Sequence, residues 1–497
     1  MLKIFSVLIL IGCWNASWGW GMDSPPPNKG RNHVQFERIL KDIEELSSPG
    51  FQGRQAGTNG GEESARFITK RFKVLGLNPI VPAIKQGEPA QWVQRTPFTA
   101  THLLPPAILE LSPSHGRAND EMIPFDISRD FLPVLDSPSV NLMAPLVFVG
   151  YGIVDPAMDR NDYRGIDVTN RLVVFLRGTP PTYFPWVTHE QKVHIAKENG
   201  AAGYLTVTGP LLSRYEAQKG LGQTPLAIYA ASPNDRPIPG AWINGQTFDQ
   251  LLQPINKSLQ SLQEKASTQK NGMNQTLPLV GHLKWNSQSQ AGFLTNVLGV
   301  IPGVSPIHQD EVILIGAHRD HFGEQAGLKF PGADDNASGT AVMLEVARRL
   351  ATDEKKPQRS VLVVSFDGEE RGFLGSKHYV HNPAWPLEKT VAMINLDHVG
   401  VGNGTLTVGV TGLAKSITQQ AAADVGLAEK IKLYGYFPGG DHVPFFEAGI
   451  PTITIVSAGI HPHFHQPSDT AATINPDVIK TATQFVLALI TRLANPS

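Results

Sequence analysis

The chain has 497 residues, with 42 Lys and Arg against 44 Asp and Glu and a formal net charge of −2. At ~150 residues per domain this is material for about three domains, and the balanced charge offers neither a basic surface for nucleic acid nor an acidic tail. One Cys excludes an internal disulfide framework, while 41% apolar residues suffice for a sizeable core.

In chain order, Lys3 precedes a short apolar run, residues 4–11, and small residues follow at Gly12, Ala16 and Ser17. That is the pattern of a secretory signal over 1–19, too short to cross a bilayer, which needs ~20 apolar residues. Leu10-Ile11-Gly12-Cys13 also resembles a bacterial lipobox, so cleavage after Ala16 or Gly19 and a lipid anchor at Cys13 are both open. Either way the protein is expected to be exported: extracellular, periplasmic or envelope-anchored, with no transmembrane span. A Pro/Gly/Asn linker occupies 20–33. From 34 to 77 the spacing predicts helix, turn, helix, with Phe36, Ile39, Leu40, Ile43 and Leu46 on one face and Ala65, Ile68, Phe72 and Leu75 on another. Residues 34–130 form the first part of the main domain. Short apolar runs at 146–149, 172–176 and 203–207, separated by Gly/Pro turns, predict an inserted β-rich module over 131–285, closed by the Gln/Ser/Asn-rich stretch 256–275. The remainder, 286–497, carries apolar runs at 312–316, 361–366, 391–396 and 452–456 alternating with helical periodicity at 337–350 and 479–493. This predicts an α/β layer with a largely parallel sheet, whose functional site lies beyond the carboxyl ends of the strands.

Five places at those ends hold metal-ligand chemistry: Gly316-Ala317-His318-Arg319-Asp320-His321, the loop 331–339 with Asp334-Asp335-Asn336, Asp367-Gly368-Glu369-Glu370-Arg371, Asn395-Leu396-Asp397, and His463-Phe464-His465. Two His, two Asp and one Glu suit a pair of zinc ions, and one further Glu remains to act as base on water whose pKa the metal lowers. Asp320, two residues past His318, can hold its imidazole.

In the order His-x-Asp, Asp, Glu-Glu, Asp, His, the chain resembles the M28 family of zinc metallopeptidases. Gly150-Tyr151-Gly152, Asp162-Tyr163 and Gly200-Ala201-Ala202-Gly203 resemble a protease-associated domain inserted into the peptidase. The resemblance implies a three-layer α/β/α sandwich of the zinc-peptidase (phosphorylase/hydrolase-like) type with a mixed, largely parallel sheet. It implies two zinc ions held by His318, Asp335, Glu370, Asp397 and His465, with Asp335 bridging. Glu369 and Asp320 are the implied catalytic residues, Glu369 as general base and acid. The implied activity is exopeptidase action on peptide substrates, by default that of an aminopeptidase. Carboxypeptidase or dipeptidase action, a glutaminyl cyclase-like reaction and a non-catalytic binding role are the alternatives. The inserted module is expected to cap the site or restrict substrate size.

The sequence departs from the family pattern at three places. Phe464 stands where several relatives carry a Tyr that donates to the oxyanion, Arg319 stands where Tyr is frequent, and Gly440 precedes Asp441-His442 where Ser or Thr is common. His463, Tyr434 or Tyr436 are the candidate substitute donors. Arg319, Phe464, Asp441 and His442 are the expected substrate contacts, with Arg319 and Arg371 available for a terminal carboxylate.

Overall fold

A computed structural model describes residues 34–82, 89–113, 122–185, 187–220, 222–230, 235–272 and 275–496. The signal, lipidation and linker readings fall on 1–33, outside the described residues. The apolar runs of the C-terminal half form the strands Val312–His318, Ser360–Phe366, Thr390–Leu396 and Thr452–Ser457. Val312–His318 lies between Ser360–Phe366 and Thr390–Leu396, parallel to both, and Thr452–Ser457 continues the parallel set. Leu406–Thr411 adds an antiparallel neighbour to Thr452–Ser457.

Side chains alternate across such strands with period two, so a sheet covered on both faces reads as an unbroken apolar run. Ile313, Ile315, Val361, Val363 and Ile394 point to one face, into a core shared with the helices Phe36–Leu46, Asn59–Leu75, Gly339–Thr352 and Pro476–Ala494. Leu314, Leu362, Val364 and Met393 point to the other, against Tyr379 and Phe445 of the helices Leu374–His381 and His442–Glu447. Among the described residues, no helix is long and apolar enough to cross a membrane.

The inserted module is not the β-rich unit its short runs suggest. Val140–Phe148, Leu172–Leu176, Gly203–Val207 and Gly240–Ile243 are parallel neighbours, interleaved with the helices His189–Glu198, Gly245–Leu252 and Leu259–Thr268. The helices are too polar to announce themselves. Leu259–Thr268 buries only Leu259, Leu262, Gln263 and Ala266, in the middle of the Gln/Ser/Asn-rich stretch.

The 27-residue strand Gln275–Ile301 joins the two lobes. Its first half is antiparallel to Val140–Phe148, its last five residues to Ser360–Phe366, and Val93–Pro113 pairs along most of its length. Both lobes therefore belong to one sheet of 14 strands. The division read at 285/286 falls inside this strand.

Candidate metal centre

The five places converge because each ends or follows a strand of the parallel set. His318 is the last residue of Val312–His318, and Asp397 directly follows Thr390–Leu396. Glu369 and Glu370 follow Ser360–Phe366, and His465 lies in the loop after Thr452–Ser457. Asp335 sits in the irregular turn Ala333–Ser338 that opens the helix Gly339–Thr352. That turn is fixed from outside. Asp469 accepts hydrogen bonds from the backbone N–H groups of Asp334 (2.9 Å) and Asp335 (3.0 Å). The buried Arg54 donates to the carbonyls of Arg319, Pro331 and Gly332 at 2.6, 2.6 and 2.7 Å. Gly332 has φ 59°, and a Cβ there would stand 2.2 Å from the Asp335 carbonyl oxygen.

Asp335 stands between two imidazoles. Its Oδ1 is 3.4 Å from His318 Nε2 and its Oδ2 is 3.2 Å from His465 Nε2. His318 Nε2 also lies 3.2 Å from Asp397 Oδ1, and His465 Nε2 lies 3.6 Å from Glu370 Oε2. Glu369 Oε2 is 4.0 Å from His318 Nε2. Donors around one tetrahedral ion at bond lengths of ~2.0–2.1 Å are separated by roughly 3.3 Å, close to these spacings.

The other imidazole nitrogens are tied down. His465 Nδ1–H donates to the Ala227 carbonyl at 2.8 Å, and the Ala227 N–H returns a bond to the His465 carbonyl at 3.1 Å. His318 Nδ1 faces the Asp320 carbonyl at 3.2 Å. Such contacts leave Nε2 as the free ligand atom and fix the ring.

Charge in the centre is unbalanced. Among the described residues, no Lys or Arg forms an ion pair with Asp335, Glu369, Glu370 or Asp397. Burial, reinforced by Asp397 and Asp441, pushes the Glu369 carboxyl well above its usual range. Burial, with Asp335 and Glu369, does the same to Glu370. His318 is raised because the carboxylates of Glu369 and Asp397 outweigh its burial. Negative charge in excess, with imidazole and carboxylate donors at ligand spacing, fits divalent cations.

The remaining expected residues take other places. Asp320 points its carboxylate at the backbone N–H groups of Glu369 (3.1 Å) and Glu370 (3.3 Å), and its Oδ1 is 3.7 Å from His318 Nδ1. It aligns the Glu-Glu pair rather than meeting substrate. Arg319 is no substrate contact: fully buried, it donates to Ser64 Oγ and to the carbonyls of Thr295 and Phe366, and pairs with Asp367 at 3.1 Å. Arg371 is likewise engaged, with Asp136 at 3.1 Å and over the Tyr229 ring. Asp441 and His442 are buried too: Asp441 accepts from Ser376 Oγ at 2.5 Å, and His442 Nε2–H donates to the Phe437 carbonyl at 2.8 Å. Burial pushes the Asp441 carboxyl up to about 7. These corrections share a cause, since polar residues at strand ends also satisfy buried backbone groups. Phe464 stacks on the His465 ring with centroids 3.7 Å apart. His463 is bonded to Ser468, and Tyr434 and Tyr436 are half exposed.

Sequence reasoning missed three imidazoles. His321 Nδ1–H donates to Glu370 Oε1 at 2.7 Å. His461 pairs with Asp334 at 2.8 Å, which occupies that carboxylate and leaves Asp335 alone facing the centre. His398 Nε2 lies 3.5 Å from Asp397 Oδ1 and 4.0 Å from Asp335 Oδ2. His321 closes the first quoted motif, His398 follows Asp397 and His461 precedes His463 by two residues, places where a lone His reads as an ordinary loop residue.

Clustered imidazoles and carboxylates at the strand ends of a mixed α/β sheet make a candidate site for divalent metal. Residues 296–490 match the family model for peptidase family M28. "Aminopeptidase YwaD" of Bacillus subtilis (strain 168) is 30% identical over 210 residues, 39% of this chain and 44% of that protein. "Leucine aminopeptidase 1" of Trichophyton rubrum is 26% identical over 219 residues, 40% of this chain and 58% of that protein. The chain thus spans about half the length of these curated relatives. Among solved structures, an aminopeptidase from Aneurinibacillus sp. strain AM-1 superposes with TM-score 0.66 at 21% identity, over 94% of this chain and 96% of that one. BSAP, a zinc aminopeptidase from Bacillus subtilis, gives 0.61 at 22% identity, over 94% and 96%. At these identities the likeness is one of fold, and it extends over both lobes.

Proposed function

We propose that the chain is an M28-type metallopeptidase, an aminopeptidase holding two zinc ions. The observation that carries this reading is Asp335, placed between His318 and His465 with a carboxylate oxygen toward each. His318, Asp335 and Asp397 would hold one ion, and Asp335, Glu370 and His465 would hold the other. The lobe around 131–285 is a protease-associated insert, a reading supported by its residues Gly150-Tyr151-Gly152 and Asp162-Tyr163.

When bound, zinc supplies Lewis acidity, polarising the scissile carbonyl and acidifying water. The protein residues then divide the work. Glu369, held at its backbone by Asp320 and partly exposed beside His318, would take a proton from water and return it to the leaving amine. His321 occupies Oε1 of Glu370, leaving Oε2 toward His465. The Ala227 carbonyl fixes the tautomer of His465. The amino-terminal preference is taken from the relatives, which are named as aminopeptidases.

Hydrolysis of free-amine aminoacyl arylamides beside N-blocked peptides tests this, with zinc-loaded protein run next to Glu369→Gln. Cleavage confined to free-amine substrates and lost in the variant is expected. Cleavage of N-blocked peptides from the carboxyl end would overturn the aminopeptidase assignment.

A further inference from the structure

Phe464 leaves the centre without the hydroxyl that would donate to a developing oxyanion, and none of the substitutes read from the sequence is committed to the site. His463 is bonded to Ser468 Oγ, and Tyr436 stacks on Phe446. His398 lies beside Phe464, on the same carboxylates. Its Nε2 faces Asp397 Oδ1 at 3.5 Å and Asp335 Oδ2 at 4.0 Å, and its ring packs against that of Phe464 with centroids 5.0 Å apart. The side chain is 18% exposed, against 1% for His318, so it lies on the open side of the carboxylates.

The backbone is arranged to aim it. His398 has φ +47°, a left-handed conformation that a non-glycine residue adopts at a cost. Ser457 holds it there, donating both its backbone N–H (2.9 Å) and its hydroxyl to the His398 carbonyl. A backbone constrained in this way, next to a residue of the centre, is characteristic of sites where side-chain direction matters.

We propose that His398 supplies the hydrogen bond to the substrate oxyanion that Phe464 cannot give. The inference rests on the peptidase reading above. Water oxygen bonds to the carbonyl carbon and its proton passes to Glu369. The carbonyl π pair moves onto oxygen, and the His398 Nε2–H donates to that oxygen. Collapse then breaks the C–N bond, and Glu369 returns the proton to the amine. Zinc analysis separates a donor from an additional ligand, because His398, Asp335 and Asp397 also lie close enough together to share an ion. At 3.5 and 4.0 Å, His398 stands further from the carboxylate oxygens than the 3.2 and 3.4 Å that separate His318 from the same two residues.

The test compares wild type, His398→Asn, His398→Gln, and His398→Asn combined with Phe464→Tyr. Asn tolerates positive φ but its amide stops short of the Nε2 position, whereas Gln reaches it. Kinetics on an aminoacyl arylamide are read beside zinc content by atomic absorption and the affinity of an aminoalkyl boronate as transition-state analogue. His398→Asn should lose on the order of 100-fold in kcat with KM nearly unchanged, and boronate affinity should fall in parallel. Zinc content should stay at the wild-type value, Gln should retain part of the rate, and Phe464→Tyr should restore at least about tenfold in the double variant, a share of one lost donor. Unchanged kcat in His398→Asn would overturn the inference, and loss of zinc in it would make His398 a ligand instead. A zinc-loaded wild type inert on every arylamide would overturn the peptidase reading itself, and with it this one.

Discussion

Glu369 and Arg319 show how differently two charged residues at adjoining strand ends behave. Glu369 keeps one face toward His318 and is 12% exposed. Glu369→Gln should therefore lower kcat by about 10²–10⁴, the range for a general base, with zinc content unchanged by atomic absorption. Asp335→Ala should instead release metal, since both imidazoles face that one side chain. Arg319 lies wholly inside the protein and pairs with Asp367, so Arg319→Met strands a buried carboxylate. A thermal melt should show a loss on the order of 3–5 kcal/mol, while the ratio of kcat/KM between substrates in the remaining folded protein stays constant. The sequence made the residues of the candidate metal centre legible because their types and order are constrained by ligand chemistry. It did not show Arg319 to be an interior residue, because a guanidinium that binds carbonyls and one that binds a peptide look alike until burial is known. His321 and His398 stayed hidden for the opposite reason: an imidazole acquires its role only from the angle at which the chain presents it.

At the level of elements, the central strands were legible as unbroken apolar runs because both their faces are covered. The helices of the second lobe were not, and Lys192 in His189–Glu198 shows why. Its ammonium is buried and donates to the carbonyls of Leu176 and Gly178, so a residue that reads as a solvated face belongs to the interior. Burial pulls its pKa down to about 7, whereas in the unfolded chain it stays near ~10.4. Between those values the unfolded state binds more protons, so Lys192 makes stability rise with pH from about 7 to about 10, and adds no slope below that window. Urea unfolding of wild type and Lys192→Met should show wild type gaining on the variant between pH 7 and 10, with a constant difference below pH 6. A difference that stayed constant across the whole range would place the ammonium in solvent. The turn Ala333–Ser338 makes a second case. Asp469→Ala removes the acceptor for two backbone N–H groups, so zinc affinity should fall by about 10–100-fold although Asp469 is not among the ligands.

At the scale of the whole molecule, the strand Gln275–Ile301 makes the second lobe something other than a removable cassette. Excising 131–272 would strip the partner Val140–Phe148 from its first half and remove the Ala227 carbonyl from His465. The product expected is an aggregating or zinc-poor protein, not a smaller enzyme with relaxed substrate length, as solubility and metal analysis would establish. A folded, zinc-replete, active truncation would restore the view of that lobe as a simple cap. The bond between Ala227 and His465 has one more consequence, in the order of events during synthesis. Its two ends are 238 positions apart, so the carbonyl leaves the ribosome long before the imidazole it must orient. At ~5–20 residues per second the interval is on the order of ten to fifty seconds. His318, Asp335, Glu370 and Asp397 are added one after another within it and His465 comes last, so on the proposed reading any metal met before then finds an incomplete set. On that reading full zinc affinity requires His465 to dock on the earlier lobe, so tight metal retention reports that the two ends of this bond have met.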